Sequence, residues 1–480
     1  MAAKSQKLAV GIERLKNVQI RDLSGGMVSN VADVLIPQNV CKQSINFHYD
    51  NLGNATQRYG TTLLGSTVAS GTCTGLFQFI NEANTLNRLV AGFGAHAYSY
   101  DGTNWSSVAS GLDGTPIRMV SFLDNVIMTG GGSAPMAWNG GGNFSTSSPL
   151  LTNAPSGKYV ETFLNRIYIA GSASNPHRLW YTTVASLDGT VAWDQSLQYL
   201  DVNPEDTNII TGLIKIANLL LIFKKFTMYR WDGSSTDAEI VNDIGSPSQE
   251  SIKKAKGMVF FFSQDPLGIY VTSGGYPQEI SRAVADWLKG MDASFYSSVS
   301  AASDDDHYYC SIGNVTKDGR TYSNVWLVYT ISSQNWSVYT LGSSFRAMNR
   351  YINTSGNVTM VGGDTSGNVQ TLLSGTTDNG TPIEYEYQSR QWEFDSRATT
   401  KTINKMAAFV QNGAGSTVSL SVDSGPFKPV GEITGPVTIF KSTQTTGHYI
   451  SVKISGQNRQ TPVVLSGFEF IEMNTQGYIS

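Results

Sequence analysis

The chain has 480 residues, of which 48 are glycine, 15% are charged and 11% are aromatic. This composition favours many short strands separated by turns over helices, and the length allows about two to four domains or one large repeat architecture with an appendage. The net charge is −4 and no basic stripe is present, which argues against sequence-specific nucleic-acid binding. We therefore expect any DNA that contacts this protein to be guided along its surface rather than bound tightly.

The segment 22–60 predicts a compact N-terminal module. The Gly25-Gly26 pair allows the backbone to take positive φ and turn sharply. Nothing in residues 38–46 breaks a helix, and apolar residues fall near one face, which predicts a helical turn or two. Two short strands joined by a turn are predicted over 48–59. We assign residues 1–64 to this module, which contains no catalytic constellation.

Internal repetition organises the middle of the chain. An apolar strand, a turn with Asn and a second apolar strand recur at Asn87, Asn125, Asn165 and Asn218, with spacings of 38, 40 and 53 residues. Periods of this size are typical of propeller blades. Less regular strand groups follow at 258–275, 307–341 and 347–373. The pattern predicts a β-propeller of six or seven blades over residues 65–375.

The longest apolar run, 209–226, does not predict a membrane span. It is interrupted by polar and charged residues, including Lys215, Lys224 and Lys225, and such residues are costly within a bilayer. We interpret the run as two buried strands.

One helix is predicted among the blades, at 281–289. Val284, Trp287 and Leu288 fall on one face, Ser281 is a suitable N-cap and Gly290 a suitable stop. The simpler interpretation is surface packing of an inserted element, and a subunit contact is the alternative.

The sequence changes character after the turn at 378–382. Alternating apolar and polar residues predict a C-terminal β-sandwich over 376–480. Its predicted strands are 383–388, 405–409, 417–422, 437–440, 449–455 and 465–472.

No catalytic, cofactor-binding or metal-binding residue is predicted, and the protein is not expected to be an enzyme. The three cysteines, Cys41, Cys73 and Cys310, are odd in number and far apart, which favours free buried thiols over disulfides or a zinc site. The acidic run Asp304-Asp305-Asp306 before His307 lacks the spacing of a calcium or zinc site and is interpreted as a solvated turn. The turn that begins at Asp101 is similar to the structural Asp-box turn of sialidase propellers, without its full motif.

The order of the N-terminal motifs resembles the opening segment of phage tail nozzle proteins, also called tail tubular protein B or packaged-DNA stabilisation proteins. The pattern consists of the Gly25-Gly26 turn, an apolar stretch that ends near Pro37, an Asn in the predicted helical turn, and a Gly-containing turn that leads into Arg58-Tyr59-Gly60. The predicted C-terminal sandwich is similar to that family as well. The resemblance spans the whole chain at the level of architecture and short motifs.

The resemblance implies an all-β fold, with a propeller and a platform made of the N-terminal module and the C-terminal sandwich. It further implies a structural protein of the virion tail that forms a ring, six copies in this family, below the portal and adaptor. Expected partners are the portal-adaptor ring proteins, tail fibres or tailspikes, and double-stranded DNA that passes through without sequence specificity. Val34, Leu35, Ile36 and Phe47 are expected to be buried against the sandwich.

The alternative is a carbohydrate-binding or glycan-processing β-propeller at the tail tip. In that case aromatic side chains such as Trp105, Trp138 and Trp336 would be exposed and stack on sugars. The competing expectation is that most of these aromatic residues pack between blades.

Overall fold

The computed structural model describes residues 12–14, 17–49, 53–394, 396–458 and 460–476. The side chain of Val34 and the predicted turn residues 50–52 lie outside this description. The chain divides into two compact units. One, the sandwich unit, comprises residues 1–60, 332–340 and 375–480, and the other, the propeller unit, comprises residues 61–331 and 341–374.

Six blades of the propeller unit are antiparallel sheets built from consecutive strands. The strands of the first three blades are Cys73–Ile80, Asn87–Phe93, His96–Tyr100 and Trp105–Ser110; Ile117–Phe122, Asn125–Gly130 and Met136–Trp138; and Tyr159–Phe163, Arg166–Ala170, Arg178–Tyr181 and Tyr199–Asp201. The strands of the next three are Ile210–Ile216, Leu219–Lys224, Met228–Trp231 and Glu239–Asn242; Lys253–Ala255, Met258–Gln264, Leu267–Thr272 and Gln278–Glu279; and Ser300–Ser303, His307–Lys317, Arg320–Thr330 and Asn335–Thr340.

A further sheet closes the ring with strands from both ends of the unit. It contains Phe345–Ile352, Val358–Asp364 and Val369–Leu372, and the early strand Thr61–Leu63 pairs with the last of these. Phe345–Ile352 lies beside the first strand of the sixth blade and beside Cys73–Ile80 of the first. The predicted all-β propeller is therefore confirmed, with six consecutive blades and one closing sheet.

The repeated Asn motif lies at the turn between the first two strands of a blade. Asn87 and Asn125 begin second strands, whereas Asn165 lies in the turn itself with φ of +55°. Asn tolerates this left-handed conformation better than most residues. The repeat therefore marks one hairpin per blade.

Apolar cores lie between neighbouring sheets of the propeller unit. One cluster combines Phe79 and Val90 of the first blade with Val126 and Trp138 of the second. Another combines Phe223 of the fourth blade with Phe261 of the fifth, with ring centroids 5.0 Å apart. Each such fully buried side chain contributes about 1.5–3 kcal/mol. Blade-to-blade packing thus stabilises this unit.

The predicted helix is present as a 3-10 turn, Ser281–Val284, followed by the α-helix Ala285–Lys289. Trp287 and Leu288 are buried. Ser281 and Gly290 do not act as the predicted caps. The Ser281 hydroxyl accepts a hydrogen bond from the Ile269 amide instead of a helix amide, and Gly290 has φ of −84°, outside the left-handed region. Glycine is needed at position 290 for close packing, since a Cβ there would lie 2.4 Å from the Thr316 carbonyl oxygen. The remaining 3-10 helices of the propeller unit are Pro149–Leu151, Gln249–Ser251 and Ala293–Ser298.

The sandwich unit consists of two sheets, and N-terminal strands take part in both. The first sheet follows the order Ile12–Arg14, Asn474–Gln476, Thr400–Gln411, Val464–Ile471, Ala55–Gln57 and Phe47–Tyr49, with Val18–Ile20 and Val437–Gly447 attached. The second follows the order Thr377–Asp378, Thr381–Ser389, Ile450–Asn458, Thr417–Val422 and Lys428–Glu432, with Cys41–Ile45 attached. The strand Asn335–Thr340 and the 3-10 turn Asp33–Leu35 complete the unit.

Aromatic side chains pack between the two sheets. Phe47 of the first sheet contacts Tyr385 of the second, with ring centroids 5.5 Å apart, and Phe468 contacts Tyr387 at 6.0 Å. The predicted burial of Ile36 and Phe47 is confirmed, but that of Leu35 is wrong, since 73% of Leu35 is exposed. Leu35 ends a short 3-10 turn that directs Ile36 inward instead.

The predicted helical turn at 38–46 is also wrong. Cys41–Ile45 is a strand that pairs antiparallel with Thr381–Ser389. Asn46 ends it with φ of +63°. Pairing with a distant strand overrides the local helical tendency of the segment, as tertiary context often does.

The strand predicted at 336–341 within the sixth blade is confirmed, since Asn335–Thr340 is the fourth strand of that blade's sheet, next to Arg320–Thr330. It is grouped with the sandwich unit, where it also contacts Cys41–Ile45 and Phe47–Tyr49. Among the residues that the structure describes, no helix is both long enough and apolar enough to cross a bilayer.

Candidate functional site

A buried arginine, Arg58, connects several segments of the sandwich unit. Only 1% of its side chain is exposed, and its two terminal nitrogens donate to the two Asp378 carboxylate oxygens at 2.8 and 2.6 Å. The same nitrogens donate to the carbonyl oxygens of Tyr59 and Thr340 at 2.9 and 2.6 Å, and Nε donates to Asn46 Oδ1 at 2.8 Å. All the N–H groups of the guanidinium are therefore used. We call this group the Arg58 cluster.

Asn46 extends the cluster through its backbone and side chain. Its Oδ1 also accepts from the Thr340 amide, and its Nδ2 donates to the Thr340 hydroxyl and to the Glu384 carbonyl oxygen. The Asn46 carbonyl accepts from the Arg58 amide. Through these bonds Asn46 connects the N-terminal strands of the sandwich unit to Asn335–Thr340 and to Thr381–Ser389.

Gly60 allows the chain to pass close to residues 375–377 as it leaves the Arg58 cluster. Its amide donates to the Gly375 carbonyl oxygen at 2.9 Å, and a Cβ would lie 2.0 Å from the Thr377 carbonyl oxygen. Any larger residue would push the two segments apart. The Arg58-Tyr59-Gly60 motif therefore has a structural role at both of its outer positions.

The Gly25-Gly26 turn also has a packing role. Gly26 has φ of +73°, and a Cβ there would lie 2.6 Å from Asn335 Cβ. The amide of Met27 donates to the Trp336 carbonyl oxygen, and Asn335 Nδ2 donates to the Ser24 carbonyl oxygen. The turn therefore packs against the strand Asn335–Thr340 of the same unit.

A cavity of about 300 Å³ lies among the inner ends of several sheets of the propeller unit, at the start of their first strands. Its walls come from residues that precede or begin the first strands of the first, second, fifth and sixth blades and the closing sheet. We call it the axial cavity, and its lining includes Thr74, Arg118, Glu250, Ser297, Ser298 and Arg346.

The charged residues that line the axial cavity differ in whether they have a partner of opposite charge. Glu250 Oε1 lies 3.0 Å from Arg118 Nη1, and Glu250 Oε2 lies 3.3 Å from Lys253 Nζ. Although burial alone would raise it, Lys253 and Arg118 hold the pKa of Glu250 below its usual range. Arg346 has no carboxylate partner among the described residues, and its guanidinium lies 4.5 Å from the centre of the Phe295 ring. Burial lowers the pKa of Arg346.

A buried lysine lies elsewhere in the propeller unit. Lys224 is fully buried, and its Nζ lies 3.0 Å from the Asn203 carbonyl oxygen, 3.4 Å from an Asp206 oxygen and 3.3 Å from His177 Nδ1. Burial lowers the pKa of Lys224, while Asp206 opposes this effect. Since each neighbour can satisfy the ammonium group, we assign it a structural role.

The acidic residues Asp101 and Asp304 each cap a turn. Asp101 accepts hydrogen bonds from the Thr103 and Asn104 amides, as expected of a structural turn. Asp304 caps its own turn by accepting from the Asp306 and His307 amides. Although partial burial acts to raise it, bonds from His307 and Tyr309 help to lower the pKa of Asp304 to about 2. The structure does not bring these two turns into one site.

The three cysteines are free and buried, which confirms the interpretation of the sequence. Burial raises the pKa of each thiol to about 12. Within the described ranges, no group of three or more His, Cys, Asp or Glu residues could hold a metal ion.

The sequence did not single out Arg346, Arg118 or Glu250. Each lies in a different segment of the chain, and only the fold of the propeller unit brings the three to one cavity. Arg58 was noted as part of a motif, but its burial could not be read from neighbouring residues.

No family model matches this chain, and no curated protein matches it. Among solved structures, the computationally designed Ika8 protein is similar with 12% identity and a TM-score of 0.40, covering 65% of this chain and 99% of that one. BamB from Moraxella catarrhalis is similar with 11% identity and a TM-score of 0.38, and the similarity covers 75% of this chain and 97% of that one. The N-terminal domain of Nup159 is similar with 10% identity and a TM-score of 0.37, covering 65% and 95%. Similarities this distant identify no function.

Proposed function

We propose that this protein is a structural component of a phage tail, one copy of a ring-shaped nozzle that continues the DNA channel below the portal and adaptor. In this role it retains packaged DNA and conducts it during ejection. Its partners would be further copies of itself, six in a ring, the portal-adaptor proteins, tail fibres or tailspikes, and DNA without sequence preference.

The observation that carries the proposal is the position of the Arg58-Tyr59-Gly60 motif. This motif carries the resemblance to the nozzle family, and it lies where three segments of the sandwich unit meet. A platform built from both ends of a chain needs such a junction. The motif thus lies at a junction of the kind that the platform implied by the resemblance requires, and this supports the proposal.

The charge of the chain is compatible with a conduit. Tight binding to DNA depends on many Lys or Arg contacts to phosphates. The chain has 33 Lys and Arg residues against 37 Asp and Glu residues. A weakly acidic wall disfavours the contacts that would hold DNA in place and lets it slide.

The aromatic residues that would support a glycan-binding function are engaged in packing. Trp138 and Trp336 are buried, and Trp105 packs against Tyr100 and donates to the Leu64 carbonyl oxygen. Because no observation favours glycan binding, we propose no second function. We also propose that the protein is not an enzyme, so purified protein should not cleave host polysaccharide.

Electron microscopy of the purified protein and of virions tests the proposal. We expect a cyclic oligomer on the tail axis, either from the protein alone or after addition of the adaptor ring as a template. A chain that stays monomeric at high concentration with the adaptor present, and that is absent from particles, would overturn it. Glycan cleavage that a single Asp or Glu substitution abolishes would support a hydrolase instead.

A further inference from the structure

The axial cavity contains polar groups whose bonding capacity is not used. Arg118 Nε, Arg346 Nε and Thr74 Oγ1 are buried and have no hydrogen-bond partner among the described residues. Buried polar groups in native proteins are almost always paired, and an unpaired one calls for an explanation such as a bound ion. Here three of them belong to the lining of one cavity.

The charge around the cavity is positive. Among the lining residues, Arg118 and Arg346 contribute two positive charges and Glu250 contributes one negative charge, and Glu250 is paired both with Arg118 and with Lys253 outside the lining. The partly buried Arg346 guanidinium lies against the Phe295 ring. A cation in such surroundings is costly unless an anion compensates it.

We propose that the axial cavity binds a phosphate group, either as free phosphate or as part of a small organic phosphate, with Arg346 as its principal ligand. The lining donors come from separate sheets of the propeller unit. A tetrahedral phosphate offers acceptor oxygens on several sides, whereas a carboxylate matches one guanidinium fork. The volume of about 300 Å³ is at the lower end of the range for small-molecule sites.

Isothermal titration calorimetry at constant ionic strength and neutral pH tests the proposal, with chloride as the background anion. The probes are inorganic phosphate, glycerol 3-phosphate and malonate. Arg346→Gln should weaken phosphate binding by about tenfold to a hundredfold, because it removes hydrogen bonds to a charged group. Arg350→Gln is the matched control, since Arg350 lies on the same strand but is exposed and paired with Asp305. It should change the affinity by less than about twofold.

The probes also distinguish the sources of the phosphate. Tighter binding of glycerol 3-phosphate supports an organic phosphate, and tighter binding of inorganic phosphate supports the free ion. Malonate binding as tight as phosphate would overturn the proposal in favour of a carboxylate site. Absence of saturable binding, or equal loss in both variants, would also overturn it.

Arg346→Lys provides a second test if Arg346→Gln folds poorly, because it keeps the charge and loses the planar fork. Phosphorus NMR of phosphate with this variant should show weaker binding than with the wild type, and unchanged binding would count against Arg346 as the ligand. The proposal concerns the propeller unit alone, so failure of ring assembly and failure of phosphate binding are separate results.

Discussion

Replacing Arg58 by Met should destabilise the sandwich unit more than any exposed charge substitution in it. Arg58→Met keeps much of the side-chain volume but removes every hydrogen bond of the guanidinium, and Asp378, 7% exposed, loses its two closest donors. Removing one partner of a buried ion pair costs about 3–5 kcal/mol, since the other charge stays buried. The free energy of local unfolding should fall by this amount.

Arg397→Met is the matched control in the same unit. Arg397 pairs with Glu393 at a site where 46% and 31% of the two side chains are exposed. An exposed pair contributes about 0–1 kcal/mol. The two variants make the same chemical change, so the difference between them measures the effect of burial.

Native-state hydrogen exchange is the suitable assay, because seven of the nine tryptophans lie outside the sandwich unit and fluorescence would mainly report the propeller. Amides of Cys41–Ile45 and Ala55–Gln57 should lose about two to four orders of magnitude of protection in Arg58→Met. Asp378→Leu added to Arg58→Met should recover part of this protection, since no buried charge of the Arg58–Asp378 pair then remains. Equal protection in Arg58→Met and Arg397→Met would refute the reasoning.

Four further results are expected. Gly60→Ala should cost about 1–3 kcal/mol through the approach to Thr377, measured by the same exchange experiment, whereas Gly435→Ala, with nothing within 4 Å, should be neutral; equal effects would exclude the close approach as the cause. Because the pKa of Asp304 is about 2 when folded and 3.8 ordinarily, its stabilising effect is complete above the ordinary value and is lost as pH falls toward the folded value; acid titrations of Asp304→Asn should show a weaker pH dependence than those of Asp305→Asn in this range. The thiols should resist a thiol-specific reagent at mildly alkaline pH until the chain is denatured, when all three should react; fast labelling of native protein would contradict their burial. A chain that ends at Gly375 should keep β structure by circular dichroism but lose ring assembly by native mass spectrometry, since both sheets of the sandwich unit lose most of their strands; full-size rings from this chain would contradict a role of the sandwich unit in assembly.

The blades were predictable because their strands pair with sequence neighbours. In the second blade, Ile117–Phe122 pairs with Asn125–Gly130 across a two-residue turn. A hairpin of this kind carries its signals locally, as alternating apolar residues and a turn residue. The blade pattern was therefore visible in the sequence even where the Asn position shifted from strand to turn, as at Asn165.

The sandwich strands at the N-terminus were less predictable because their partners are distant. Cys41–Ile45 pairs with Thr381–Ser389, so its apolar pattern is set by a sheet whose other strands come from the end of the chain. Asn335–Thr340 is the last strand in the sheet of the sixth blade, as predicted, but its contacts with Cys41–Ile45 and Phe47–Tyr49 could not be predicted from the local sequence. Local propensity carries no information about such contacts.

Buried charge was the part of the candidate sites that the sequence could not reveal, and Arg58 and Arg346 show why its bonding decides its role. Every N–H group of Arg58 has an acceptor within its own unit, so a ligand would have to break hydrogen bonds to bind there. Arg346 has a buried Nε without a partner and a cavity beside it, so a ligand would supply a bond that the fold does not. Since the two residues are of the same type and both lie in β-rich segments, the difference arises from the acceptors that the fold brings to each guanidinium. A satisfied buried arginine therefore argues for architecture, and an unsatisfied one beside a cavity argues for binding.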